Sequence, residues 1–116
     1  MTTRAEGARV TGSVSGVNAA AIALYMGQNE ESRRIAREIA DRLSALPEAD
    51  LDVWERAIVG EAYLLLGDLA RAKSWYMKAV ALDPAAQGPR EIMRDQARRN
   101  LQYLGLPTAG LDDVLT

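Results

Sequence analysis

The chain contains no cysteine, no histidine and no phenylalanine in 116 residues. Without cysteine there is no disulfide framework, no thiol nucleophile and no thiolate metal site. Without histidine the commonest general base and the commonest metal ligand are missing. Serine, threonine, tyrosine and lysine remain as nucleophiles, with no imidazole to activate them. Aromatic residues make up only 5% of the chain, and β-branched residues are few and scattered, which counts against strands. No run approaches the roughly 18 apolar residues of a membrane span. The opening MTTRAEGARVTGSVSG lacks the apolar centre of a signal peptide. A net charge of −2 is not the footprint of a nucleic-acid binder. A cytoplasmic chain is therefore expected, with no nucleic-acid or membrane partner, no metal and no cofactor.

Catalysis is not expected either. Gly7, Gly12 and Gly16 lack the Gly-Lys-Ser/Thr and the preceding strand of a phosphate loop. Glu30 and Glu31 are adjacent on a helix and point apart, whereas paired-carboxylate chemistry needs two groups facing one cleft about 5–10 Å apart. Asp112-Asp113 is too short for a calcium loop.

What is present is helix. Hydrophobic residues are 48% and charged residues 26% of a length that suits one small domain. The clearest stretch is WERAIVGEAYLLLGDLARAKSWYMKAVALDP, from Trp54 to Pro84. Val59, Gly60, Ala62, Tyr63 and Leu66 recur at helical spacing until Gly67-Asp68 interrupts them. A second set at Leu69, Ala72, Tyr76, Ala79, Val80 and Leu82 runs to Asp83-Pro84. Gly67 suits the left-handed residue that closes a helix, and Asp68 can cap the next. The two helices must lie antiparallel, small residues facing each other.

This unit resembles a tetratricopeptide repeat, a helical hairpin with fixed small and aromatic positions. With Pro84 on the repeat's closing proline, Gly60, Tyr63, Ala72, Tyr76 and Ala79 fall on its other signature positions. The resemblance implies that Gly60 and Ala72 let two backbones approach. Tyr63 and Tyr76 then fill the gaps, and Ala79 admits the following helix. Arg56 stands where the repeat usually has tryptophan.

The flanks repeat the theme less faithfully. A helix from about Ser15 ends at Gly27, and a second, capped by Asn29, runs from about Glu30 to Leu46 with Ile35, Ala36, Ile39, Ala40, Leu43 and Leu46 on its apolar stripe. Matching Gly27 to Gly67, 40 residues apart, sets Ala20 opposite Gly60, Ser32 opposite Ala72 and Ala36 opposite Tyr76. Asp52 with Glu55 makes a capping box. After Gln87-Gly88-Pro89, with proline at the first position, a last helix buries Ile92, Met93, Gln96, Ala97, Asn100, Leu101 and Leu104. The expected fold is all-α: a short tetratricopeptide-like antiparallel helical-hairpin solenoid of two hairpins plus a C-terminal capping helix. Residues 1–12 read as a flexible tail, 13–105 as the helical domain and 106–116 as a C-terminal tail. So short a stack leaves apolar surface at its ends, which favours a homodimer.

A narrower likeness rests on two segments. Gly16, Val17, Asn18, Ala19 and Ala20 resemble the entry, and Met93, Arg94, Gln96, Ala97 and Arg98 the closing helix, of the TRAF-binding central regulatory region of apoptosis-signal-regulating kinases and its bacterial relatives. That resemblance implies a helical scaffold that positions partner proteins without catalysing anything.

A solenoid of hairpins presents each first helix on its concave side. The repeat positions place Trp54, Ala57, Glu61, Leu64 and Leu65 there, with Tyr25 from the first hairpin and Arg98 or Arg99 from the last helix. Ala57 and Glu61 occupy positions where some repeats carry the lysine and asparagine that clamp a peptide carboxylate, so that clamp is not expected. Arg90, Arg94 and Arg98 form a ridge that reads as a solvated face, with phosphate sensing as its alternative. Asn18 reads as a cap or a buried polar link between helices. The leading functional expectation is a protein–protein interaction scaffold, and self-association is the runner-up.

Overall fold

The computed structural model describes residues 15–85, 87–108, 111 and 114, and among them there is no strand. Residues 15–25 are helical and are called α1. Four longer helices follow: α2 over Asn29–Ser44, α3 over Val53–Leu65, α4 over Leu69–Leu82 and α5 over Gln87–Leu104. A single 3-10 turn, Glu48–Asp50, joins α2 to α3.

Glycine sets the hairpins. Gly27, Gly67 and Gly105 adopt φ of 78°, 80° and 72°, where a Cβ would be strained. Each closes its helix with the same pair of backbone bonds. At Gly67, the Gly67 amide donates to the Leu64 carbonyl and the Asp68 amide to that of Tyr63. The pattern recurs at Gly27 with Leu24 and Ala23, and at Gly105 with Gln102 and Leu101. Thus α1, α3 and α5 end alike.

Two helix starts follow the expected chemistry and two do not. Asp52 accepts from the Glu55 amide while the Glu55 carboxylate accepts from the Asp52 amide. Asp68 accepts from the Arg71 amide. Asn29, however, is the first residue of α2 rather than its cap; Gln28 holds that place without a side-chain bond. Pro89 lies inside the first turn of α5, which begins at Gln87. Its missing N–H costs nothing there, because first-turn amides have no intrahelical partner.

Helix α3 lies at the centre, packed against α2, α4 and α5. Every residue from Ala57 to Leu65 is buried, so this helix is enclosed on all sides rather than striped. A Cβ built on Gly60 would sit 3.2 Å from the Tyr76 ring, which is itself 1% exposed. Glycine is what lets α4 come this close. Ala62, Ala72 and Ala79 are fully buried around the same crossing, and Tyr63 is buried beside it. Pro84 is exposed in the turn after α4, so it ends the helix without packing. The first hairpin copies the arrangement: Ala20, Ser32 and Ala36 are all buried, as are Gly60, Ala72 and Tyr76.

Arg56 has its own use in the place of the usual tryptophan. Its guanidinium donates to the carbonyls of Leu51, Lys78 and Glu48, tying the α2–α3 connector to the end of α4. On α5 the buried side is Met93, Ala97, Asn100 and Leu101. Ile92 and Gln96 are exposed instead, because the neighbouring helices leave a gap there. The expected N-terminal tail lies outside the described residues. Of the segment expected to be a C-terminal tail, Leu111 is buried in the core and Leu106 and Val114 pack on it, Leu111 and Val114 being helical.

Candidate functional site: a cavity among the first helices

Trp54, Ala57, Ile58 and Glu61 share one face of α3 by helical spacing, and they line a cavity of about 170 Å³. Its other walls are Val17 and Asn18 of α1, Tyr76 of α4, and Ile92, Met93 and Gln96 of α5. Trp54 is 43% exposed and Ile92 49%. Asn18 is exposed at the same site, neither a buried link nor a cap.

The expected groove does not continue along α3. Leu64 and Leu65, about one turn beyond Glu61, are core residues at 0% and 1% exposure. The reason is a closure that repeat positions do not reveal: α1 and α5 meet over this half of α3. The Tyr25 hydroxyl donates to Asn100 Oδ1, and the Tyr25 and Tyr103 rings lie with centroids 4.4 Å apart. Tyr25 therefore belongs to the closure and not to the cavity wall. Arg98 is half-buried, engaged in an interaction of its own, and likewise outside the wall.

Asn100 passes the contact inward. Its Nδ2 donates to Glu61 Oε2 at 3.4 Å, so one buried amide links α1, α5 and α3. Glu61 is 6% exposed. Burial pushes its carboxyl up to about 7, against the opposing pull of the Asn100 bond. The Tyr76 phenol is raised as well, by burial first and by the Glu61 charge second. Burial also raises Tyr25, opposed by Arg99 beside it. Among the described residues no lysine or arginine lines the cavity. In the sequence Asn100 shows only as a polar residue within an apolar stripe, and no local pattern marks Tyr103.

The arginine ridge is not the solvated face expected of it. Arg90, Arg94 and Arg98 are all half-buried. Arg90 donates to the Pro84 carbonyl, and Arg94 lies 3.7 Å from the Asp95 carboxylate. Among the described residues no cluster of three or more acidic side chains could hold a metal ion, and no helix is long and apolar enough to cross a membrane.

The fold and the cavity together define a small helical-hairpin protein with an opening among α1, α3 and α5. The tetratricopeptide repeat matches residues 57–85, which is hairpin α3–α4 from Ala57 to the turn after Pro84. No curated protein and no solved structure matches the chain.

Proposed function

We propose that this protein is a non-catalytic interaction scaffold that binds a protein or peptide partner at the cavity between α1, α3 and α5. The observation that carries this reading is Trp54, held 43% exposed at the edge of a cavity walled by α1, α3, α5 and Tyr76 of α4. Large aromatic side chains beside well-packed pockets are the residues on which binding energy concentrates. The repeat match at residues 57–85 supports the same reading, since such hairpins generally serve as docking surfaces. The likeness to the regulatory region of apoptosis-signal-regulating kinases bears on scaffold architecture rather than on partner identity. Val17, Ala20, Met93 and Ala97, which carry part of it, are buried packing residues.

The test compares partner capture by the immobilised parent chain with capture by two variants. Trp54→Ala is expected to lose most of the capture with an unchanged helical circular-dichroism spectrum. Arg94→Glu is expected to change it little. The reverse ranking, with binding that falls steeply as salt screens exposed charge, would move the site to the arginine ridge. Sedimentation equilibrium identifies a second copy of the chain as the occupant if species heavier than 12.6 kDa appear and vanish with Trp54→Ala.

A further inference from the structure

We infer that the cavity beside Trp54 receives a basic side chain of the partner, its alkyl stem on Trp54, Ala57 and Ile92 and its cationic head at the Glu61 carboxylate. This rests on the groove reading above and specifies what enters it. Size is the first argument. A volume of about 170 Å³ falls below the roughly 300–1,000 Å³ of sites for small-molecule ligands and cofactors. It has room for one side chain and none for a helix.

Charge is the second argument. The walls are apolar except for Asn18, Gln96, the Tyr76 phenol and Glu61. Glu61 is the one acid among them, and no described cation faces it across the cavity. Its carboxylate is held in place by Asn100, which is in turn held by Tyr25. An anionic guest would meet this carboxylate with nothing to offset it. A purely apolar guest would bury the carboxyl further with no new partner, which costs free energy. An ammonium or guanidinium supplies the missing opposite charge, and a cation passing the Trp54 ring gains attraction from its π face as well.

Protonation gives the inference a second signature. The groups around Glu61 are the Tyr76 phenol of α4, Asn100 of α5 and, through Asn100, Tyr25 of α1 with Arg99 beside it. Burial holds the Glu61 carboxyl near 7, so its ionised fraction rises from about a tenth at pH 6 to about nine-tenths at pH 8. A guest that needs the carboxylate gains affinity over that interval, and a neutral guest does not.

The experiment titrates the full chain with N-acetyl-lysine N-methylamide and with its norleucine counterpart, following the Trp54 indole N–H and cavity amides by NMR. At pH 8 the lysine probe is expected to bind roughly tenfold more tightly than the norleucine probe, the scale of one favourable charge contact. At pH 6 most of that advantage should disappear. Glu61→Gln should erase it at both pH values while leaving norleucine binding in place. Equal binding of the two probes by the parent at pH 8 would overturn the inference. So would a lysine advantage that survives Glu61→Gln, or a Trp54 signal that neither probe moves. Should Glu61→Gln fail to fold, the pH 6 to pH 8 comparison on the parent decides the same question. Failure of the probes would leave Trp54-dependent partner capture standing, whereas loss of the groove reading itself would show as capture indifferent to Trp54→Ala.

Discussion

Among the described carboxyls, Glu61 is the one that folding shifts furthest. Its folded carboxyl titrates near 7, against an ordinary value of 4.5. Between those two values the folded state therefore holds a proton that the unfolded chain has already released. A raised carboxyl stabilises the fold fully below about 4.5, and that contribution is lost as pH rises through about 7. The difference is worth roughly 3 kcal/mol between those limits. Glu31 and Glu48 are pulled the other way, by hydrogen bonds from Arg34 and Lys78, and they are exposed. Their stabilising effect is lost only as pH falls below the ordinary carboxyl range, outside the window in question. Urea midpoints measured from pH 5 to pH 8 should therefore fall for the parent and stay level for Glu61→Gln. An equal fall in both proteins would assign the effect to another group.

At the scale of elements, the α3–α4 hairpin is the part most directly legible in the sequence. Its turn is glycine chemistry, its starts are aspartate chemistry, and its crossing is set by small residues. Gly60 and Ala72 were readable as contact points because nothing larger fits: the Tyr76 ring stands 3.2 Å from a Cβ at Gly60 and has no exposed side to retreat to. Gly60→Leu and Ala72→Leu are each expected to cost roughly 1–3 kcal/mol by overpacking, checked by thermal melts; two parent-like melts would mean that the crossing yields. The site was less legible, for a physical reason. Register alone puts Trp54, Ala57 and Glu61 on one face of α3, and all three line the cavity. Leu64 and Leu65 share that register yet are covered, because openness depends on what neighbouring helices do. Tyr25 and Asn100 meet across 75 residues of sequence, and no local pattern announces such a pair. Arg56 departs from the repeat signature, and only its three carbonyl partners explain it.

For the whole molecule, that long-range pair changes the expected behaviour of the stack. In a solenoid each repeat touches only its neighbours, so the ends can melt independently of the middle. Here α1 and α5, from the first and last units, are bonded to each other and through Asn100 to central α3. The ends should then unfold with the middle in one transition. Fluorescence of Trp54 and Trp75 reports the central hairpin, whereas far-UV circular dichroism reports all the helices. In the parent the two urea transitions should coincide. Asn100→Ala removes the acceptor of Tyr25 and the donor to Glu61, leaving the buried Glu61 carboxyl without that partner at a cost of about 1–3 kcal/mol. In that variant the helical signal should be lost at lower urea than the tryptophan signal, as α1 and α5 come away from a hairpin that persists. Separate transitions already present in the parent would mean that the closure does not couple the ends. Coincident, parent-like transitions in Asn100→Ala would mean that apolar packing over Leu64 and Leu65 holds the ends together without the polar link.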